Sequence, residues 1–283
     1  MSSTLNLKKN SRRLIGKREA FIMLFAVILT SIGIKASDYF SNVNKDDLKA
    51  NNGCPNDMVY VVSQYGGFCI DKYEASPSEE CPYQDPNNKS ETAVNLGTPG
   101  CKPVSKSGRI PWRNITQAQA MEACAKAGKR LPTNLEWYLA SLGTPDPSSG
   151  WGPDDCHVNK NWEKQPGLTG SGKNCVSSAG AYDMIGNIWE WVNEEIQDGK
   201  YKDLELPESG YVQSVNTSGL PIETNKEPEE AYYNDYFWIK SKGIRGMARG
   251  GYWDNKSDAG KYAVYLVSPP SFVGTGVGFR CAK

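Results

Sequence analysis

The chain has 283 residues and a formal net charge of zero, with 32 basic and 32 acidic residues. This neutral balance gives no long-range attraction to nucleic acid or to an anionic membrane surface, so neither is expected as a partner of the folded part. Hydrophobic residues make up 39% of the chain, and glycine, proline, tyrosine and tryptophan are abundant, which predicts one irregular, loop-rich α+β domain with a tail.

The first 36 residues have the pattern of an export segment. Basic residues precede an apolar run over residues 21–34, which is shorter than the roughly 20 residues that cross a bilayer. The residues before Ala36 form a poor cleavage site, so a cleaved signal peptide and an uncleaved membrane anchor both remain open for residues 1–36. A buried helix would leave the flanking cations unpaired. Residues 37–53 are a polar spacer, and the order of the segments predicts a body outside the cytoplasm.

Eight cysteines, an even number, predict disulfides in an exported chain. No Cys-x-x-Cys pair is present and His157 is the only histidine, which argues against a zinc site. Spacing alone does not fix the connectivity. Sequence neighbourhood suggests three bridges across loops rich in Gly, Pro or Asn, namely Cys54–Cys69, Cys81–Cys101 and Cys156–Cys175.

The body opens with strand signals. Residues 58–62 and 68–73 are rich in β-branched and aromatic side chains, with Gly66 and Gly67 between them, which predicts a β-hairpin. Residues 77–109 carry Pro, Asn, Ser and Gly throughout. This segment is predicted to be a long surface loop.

Two helices with clear start signals follow. Thr116 with Gln119, and Thr133 with Glu136, form the residue pairs of capping boxes. Gly128 is placed to end the first helix in a left-handed conformation. The faces predicted to point inward consist of Ala118, Met121, Cys124 and Ala125 in the first helix and of Leu135, Leu139 and Leu142 in the second.

Three separated motifs carry a family resemblance. They are Gly128-Lys129-Arg130-Leu131-Pro132-Thr133, then Asp183-Met184-Ile185-Gly186-Asn187-Ile188-Trp189-Glu190-Trp191, then Arg249-Gly250-Gly251-Tyr252-Trp253 with Gly278-Phe279-Arg280-Cys281. Together they resemble the formylglycine-generating enzyme, or sulfatase-modifying factor, family. The resemblance implies an irregular C-type-lectin-like fold for residues 54–283, with two helices packed on small antiparallel sheets. It also implies a Cys124–Cys281 disulfide and treats residues 77–109 and 194–247 as insertions, the second lying beside the C-terminal loop.

The second motif predicts a structural calcium site. A turn through Gly186 can bring the carboxylates of Asp183 and Glu190 together with the carbonyl groups of Gly186 and Ile188, and calcium prefers such mixed oxygen ligands. The enzymes that the chain resembles bind calcium at the matching positions. The alternative is that both carboxylates only hydrogen-bond the loop, with Trp189 in the core.

The third motif lacks the residues that formylglycine formation requires. The family enzymes use two thiols that hold copper(I), a soft ion that thiolates select. Alignment on Gly250 and Gly251 puts Asn255 and Gly260 at those two positions, and Cys281 at a structural cysteine. An amide and a hydrogen atom cannot replace two thiolates, so neither copper nor catalysis is expected. The sequence contains no Gly-x-Ser-x-Gly motif and no P-loop.

The C-terminal region instead alternates scaffold residues, Trp253 among them, with polar and aromatic residues of the kind that contact ligands. This interleaving resembles the variable region of target proteins of diversity-generating retroelements, which end in a similar Gly-Phe-Arg-Cys. An ordinary family C-terminus without diversification is the alternative. The predicted ligand-binding residues are Tyr252, Asp254, Asn255, Asp258, Tyr265 and Phe272.

These observations predict a non-catalytic binding protein, exported or tethered to the membrane by residues 21–34. Its partner would be a macromolecular ligand, protein or glycan, outside the cytoplasm. The alternative is an oxidoreductase of the formylglycine-generating class, or a factor that matures other exported proteins. A third hypothesis is an assembly module in an envelope complex.

Overall fold

The computed structural model describes residues 53–64 and 66–283. The predicted export segment, residues 1–36, lies outside them. No helix of the described part is long and apolar enough to cross a membrane. The helices of that part are α1 (Lys89–Gly97), α2 (Gln117–Lys126) and α3 (Asn134–Ser141), with two 3-10 turns at Glu230–Tyr232 and Lys256–Asp258.

Most strands of the described residues belong to one large sheet. The strands are β1 (Met58–Val61), β2 (Phe68–Asp71), β3 (Ala75–Pro77), β4 (Pro103–Ser105), β5 (Trp189–Gln197), β6 (Lys200–Tyr201), β7 (Leu204–Glu205), β8 (Gly210–Val215), β9 (Pro221–Asn225), β10 (Tyr236–Ile239), β11 (Ile244–Arg249), β12 (Val264–Leu266) and β13 (Val277–Phe279). The large sheet has the order β7-β6-β5-β11-β12-β10-β8-β9, and β13 pairs with β5 beside that path. The pairs β10–β12 and β13–β5 are parallel. The β1–β2 pair is the predicted hairpin.

Both predicted capping boxes are present. The side chain of Thr116 accepts a hydrogen bond from the backbone N–H of Gln119, and the side chain of Thr133 accepts one from that of Glu136. In return, the side chains of Gln119 and Glu136 accept hydrogen bonds from the backbone N–H groups of Thr116 and Thr133. Gly128 has a φ of +67°, as a left-handed helix end requires. The local start and stop signals therefore place both helices correctly.

The predicted inward faces of these helices are only partly right: Cys124 is buried as predicted, but most of the other predicted residues are not. In the first helix, Met121 is 44% exposed and the buried residues include Ala120 and Ala123. In the second, Trp137 and Ala140 are buried, whereas the three predicted leucines are only half-buried. Each helix is rotated from the prediction because its contacts with the sheet, and not its own leucine or alanine spacing, select the buried face.

The segment 77–109, predicted to be a loop, contains a helix and a strand. Asn88 caps α1 by accepting hydrogen bonds from the backbone N–H groups of Ser90 and Glu91, while β4 pairs antiparallel with β3. Leu96 of α1 packs in the core. Asn, Ser and Pro are abundant in this segment and do not predict a helix. The helix is stabilised by its cap and its packing rather than by intrinsic propensity.

Alternate residues of the large sheet face two separate cores. Met247 of β11 belongs to one core cluster together with Trp137 of α3. Its neighbour Ala248 belongs to a second cluster together with Ala120 of α2. The two helices therefore cover opposite faces of the sheet.

All eight cysteines form disulfides. Their partners are those expected above, Cys54–Cys69, Cys81–Cys101, Cys124–Cys281 and Cys156–Cys175. The third joins α2 to the end of the chain across 157 residues, and bridges over long loops constrain the unfolded chain most. Four disulfides are typical of a protein outside the reducing cytoplasm.

Candidate functional site

Two adjacent positions near the start of the third sequence motif require glycine. Gly250 and Gly251 have φ angles of +94° and +91°, a region that side chains disfavour. A Cβ on Gly251 would lie 2.4 Å from the Cβ of Ala259, and one on Gly250 would lie 2.8 Å from the carbonyl oxygen of Met184. The pair turns the chain sharply out of β11 and starts the loop of residues 252–260.

The 252–260 loop is fastened to its neighbour through backbone atoms. The N–H of Lys160 donates to the carbonyl oxygen of Trp253 at 2.7 Å, and the N–H of Lys256 donates to that of Val158 at 2.8 Å. These backbone bonds fix the position of the loop at Trp253 and Lys256.

Two of the predicted contact residues take part in holding this loop. The Oδ1 of Asn255 accepts a hydrogen bond from the backbone N–H of Tyr252 at 2.9 Å. Asp254 forms an ion pair with Lys160 at 2.8 Å. Asn255 thus closes the turn from within, whereas Asp254 keeps part of its carboxylate in solvent.

The other predicted contact residues lie at the edge of the second core. Tyr252 and Tyr265 are half-buried and pack against that core. The hydroxyl of Tyr265 shares a hydrogen bond with Ser268 at 2.9 Å. Phe272 is 36% exposed on the following loop. Asp258 is half-buried, as is Trp253, which the sequence assigned to the frame.

The structure extends this surface with aromatic residues from other strands. The rings of Tyr211 and Tyr236 have centroids 5.1 Å apart, and those of Tyr236 and Trp238 are 4.8 Å apart. Trp189 then links Trp238 at 5.4 Å to Tyr265 at 5.5 Å. We call the four half-buried residues, Tyr211, Tyr236, Trp238 and Tyr265, the aromatic shelf.

The register of the sheet creates the shelf. Tyr236 pairs with Tyr211 across β10 and β8, and Trp238 pairs with Tyr265 across β10 and β12. Phe237, between them, is fully buried in the first core on the opposite face. Of the four shelf residues, the sequence analysis predicted only Tyr265 as a contact residue. Tyr211 was missed because only strand pairing places it there.

A buried polar cluster supports the loop from below. The Oδ2 of Asp235 accepts a hydrogen bond from the backbone N–H of Tyr262 at 2.7 Å. Burial raises the pKa of Asp146 to about 7, although nearby Lys261 opposes this. The Nζ of Lys261 lies 3.6 Å from the ring centroid of Tyr233. Asp235 ties the 194–247 segment to the C-terminal loop.

A second buried centre lies at the second sequence motif. Glu190 accepts hydrogen bonds from the Nη2 and Nε of Arg280 at 2.6 and 2.7 Å, and from the Nε1 of Trp137 at 2.7 Å. Asp183 accepts one from the backbone N–H of Gly170 at 2.6 Å. Burial raises the pKa of Asp183 to about 7.

Comparison with known proteins identifies the domain. Residues 59–283 match the family model of the sulfatase-modifying factor enzyme 1-like domain. The chain belongs to this family. The α+β, lectin-like fold of the formylglycine-generating enzymes, expected from the three motifs, is thereby confirmed.

Members of the sulfatase-modifying factor family with known activities match only part of the chain. The hercynine oxygenase of Mycobacterium tuberculosis is 31% identical over 97 residues, which are 31% of this chain and 22% of that protein. The formylglycine-generating enzyme of the same species is 31% identical over 100 residues, 30% of this chain and 33% of that protein. This chain therefore spans a third or less of the length of these relatives.

Two solved structures to which the chain is similar are a variant of the major tropism determinant and a variable protein. The M1 variant of the major tropism determinant has a TM-score of 0.44 and 20% identity, over 81% of this chain and 52% of that one. Variable protein 1 of Treponema denticola has a TM-score of 0.35 and 15% identity, over 81% and 99%. These likenesses concern the fold alone.

Gly260, at one of the two positions predicted to match the family thiols, has no room for a side chain. A Cβ built there would lie 1.9 Å from the Oδ1 of Asp235 and 2.3 Å from its Cγ. The other corresponding position is Asn255, whose side chain closes the turn. Since all eight cysteines are disulfide-bonded, the chain has no thiol to bring to this place.

The predicted calcium ligands do not fit an ion as they are arranged. Both carboxylate oxygens of Glu190 are engaged by Arg280 or Trp137, which leaves Oδ1 of Asp183 as the open carboxylate oxygen of the pair. Within the described residues, no group of three His, Cys, Asp or Glu side chains is placed to hold a metal. The arrangement favours the alternative in which the carboxylates hydrogen-bond the loop.

Calcium titration tests this interpretation. A ligand that binds only the folded state raises its stability in proportion to the logarithm of ligand concentration. Because Arg280 occupies Glu190, we expect millimolar calcium to change the melting temperature of the full chain by less than about 1 °C. A rise of several degrees, reversed by chelation, would mean that Glu190 exchanges Arg280 for the ion.

The stability of the protein should fall between about pH 4 and pH 7. Burial raises the pKa of Asp146 to about 7 and that of Asp71 to about 6, above the roughly 3.9 of an unfolded chain. Each group then contributes stability that is complete below pH about 4 and is lost as the pH rises through its folded pKa. His157 acts in the opposite direction, because burial lowers its pKa to about 4, so its contribution is lost as the pH falls below about 6.5.

Melting temperatures measured from about pH 4 to pH 8 check this prediction. The change from about pH 4 to pH 7 should be a decrease, and Asp146→Asn should make the curve flatter. A melting temperature that rises over this interval in the native chain would contradict the assignment.

Proposed function

We propose that this family member is a non-catalytic binding protein that presents the aromatic shelf and the 252–260 loop to a macromolecular ligand outside the cytoplasm. The observation that carries the proposal is the continuous row of half-exposed rings along β8, β10 and β12. Large, rigid aromatic side chains supply contact area at little entropic cost, and they dominate binding surfaces for that reason.

The surface has the layout of a rigid frame with adaptable contacts. Phe237 and Val264 anchor the shelf strands in the first core, while Tyr252 and Asp258 lie half-buried on a loop that backbone bonds hold in place. A preorganised surface loses little conformational freedom when it binds. The shelf and the loop are therefore suited to recognition of a large partner.

Two observations weigh against the alternative, an oxidoreductase of the formylglycine-generating class. Asp235 fills the space beside Gly260, and the eight cysteines are bonded in pairs. Export is supported by those four disulfides, together with the basic and apolar order of residues 1–36. An uncleaved segment 21–34 would tether the binding surface to the membrane.

Selection from a phage-displayed peptide library, with a glycan array beside it, tests the proposal on the full chain. We expect ligands whose affinity falls at least tenfold, about 1.4 kcal/mol, when Trp238 is replaced by alanine. Tyr83→Ala is the matched control, because Tyr83 is 38% exposed and lies outside the shelf.

Two results would contradict the proposal. One is that no peptide or glycan binds in a manner that depends on Trp238, while melting temperatures show that the variant is folded. The other is that the chain consumes oxygen when supplied with a cysteine-bearing peptide, which would favour the oxidoreductase.

A further inference from the structure

One end of the aromatic shelf consists of three rings set at different angles. The planes of Tyr211 and Tyr236 meet at 82°, and those of Tyr236 and Trp238 meet at 47°. The rings are therefore not stacked face to face, and their faces do not cover one another. The face of an aromatic ring attracts cations, tryptophan and tyrosine most strongly.

The chain places its own cations over other rings. The Nζ of Lys261 lies 3.6 Å from the centroid of Tyr233. In the described part of the chain, no lysine or arginine lies over Tyr211, Tyr236 or Trp238. These three rings remain open to a cation from another molecule.

Two carboxylates accompany the same end of the shelf. Asn225 of β9 pairs with Tyr211, and Glu227 follows two residues later. Gly260, two residues after Asp258, packs against Asp235, the residue before Tyr236. Burial raises the pKa of Tyr211, and the charges of Asp258 and Glu227 raise it further. Among the described residues, neither carboxylate has an ion-pair partner within 4.0 Å. Asp254, by contrast, is already paired with Lys160.

The surrounding segment is negatively charged. Residues 194–247 contain eleven acidic and six basic residues, a net charge of −5 in a chain whose total is zero. Three of those six, Lys240, Lys242 and Arg245, line a separate open cleft. Charge complementarity therefore favours a basic partner at the Tyr211 end.

We propose that Tyr211, Tyr236 and Trp238, together with Asp258 and Glu227, bind an arginine side chain of a partner protein. Arginine fits better than lysine, since its planar guanidinium stacks on aromatic faces and donates to a carboxylate with two N–H groups at once. This assignment rests on the proposed function and narrows its ligand from protein or glycan to a basic protein surface.

Matched peptides test the assignment on the full chain. The probes are fluorescein-labelled glycine–serine peptides that carry either arginine or citrulline, its neutral analogue of the same shape, and fluorescence anisotropy gives their affinities. The arginine peptide should bind at least tenfold more tightly than the citrulline peptide. Trp238→Ala, Tyr236→Leu and Asp258→Asn should each remove most of that preference.

Two control variants distinguish this site from general attraction to acidic surface. Tyr83→Ala removes an exposed ring elsewhere, and Asp154→Asn removes a carboxylate that is paired with Lys173; both should leave the preference unchanged. Equal affinity for the two peptides, or equal losses in the controls, would overturn the arginine assignment. If carbohydrates, or library peptides that lack arginine, bind in a Trp238-dependent manner, the proposed function stands and only the arginine assignment is wrong.

Discussion

Replacement of Arg280 by methionine is expected to lower the free energy of unfolding by about 3–5 kcal/mol. Arg280 is fully buried and donates two hydrogen bonds to Glu190 and one to the carbonyl oxygen of Asp71. Without it, Glu190 is left as an unpaired buried charge beside Glu74. The pKa of Glu74 is already raised by burial and by the charges of Asp183 and Glu190. Chemical denaturation of the full chain measures the loss.

Arg130→Met is the matched control for this prediction. Arg130 also pairs with a glutamate through two hydrogen bonds, to Glu136 at 2.7 and 2.6 Å, but its side chain is 50% exposed. An exposed pair of this kind contributes less than about 1 kcal/mol. The combined variant Glu190→Gln with Arg280→Met removes both charges and should be more stable than Arg280→Met alone. Similar losses in Arg130→Met and Arg280→Met would contradict the account.

Gly260→Ala is expected to destabilise the protein by about 3 kcal/mol, because the added methyl group overlaps a packed side chain. The new Cβ would lie 1.9 Å from the Oδ1 of Asp235. That carboxylate cannot simply move, since its Oδ2 accepts a hydrogen bond from the N–H of Tyr262. Thermal or chemical denaturation reports the effect.

A double-mutant cycle assigns the cause of that loss. Asp235→Ala removes the obstructing carboxylate, so adding Gly260→Ala to it should cost little more. Gly97→Ala controls for the loss of a glycine, because nothing lies within 4 Å of a Cβ at that exposed helical position. A full loss from Gly260→Ala in the Asp235→Ala background would show that the backbone, and not Asp235, requires the glycine.

Local signals in the sequence predicted local structure well. The capping pairs that begin at Thr116 and Thr133 involve residues three positions apart, so their geometry is set within one helical turn. The left-handed conformation of Gly128 at the end of α2 likewise depends only on that residue, because glycine adopts it readily. Three ordered motifs between Gly128 and Cys281 were enough to predict the family, whose model matches residues 59–283.

Features that depend on distant packing escaped prediction. The inward face of α2 was misassigned at Met121 because the sheet determines which side of the helix is covered. The shelf depends on the pairing of Tyr211 with Tyr236 across two strands. A second contact of this kind is that of Asp235, which fills the space beside Gly260. No spacing along the chain encodes either contact. Glu190 was predicted to bind calcium, and its pairing with Arg280 links positions 90 residues apart.

The backbone bonds of the 252–260 loop separate its shape from its chemistry. Because backbone atoms of Lys160 and Val158 bond to peptide groups of the loop, a substitution at Asp258 leaves these bonds in place. Asn255 is the exception, since its side chain closes the turn. If the loop binds a partner as proposed, point substitutions there would change the affinity while the backbone bonds that position the loop stay intact.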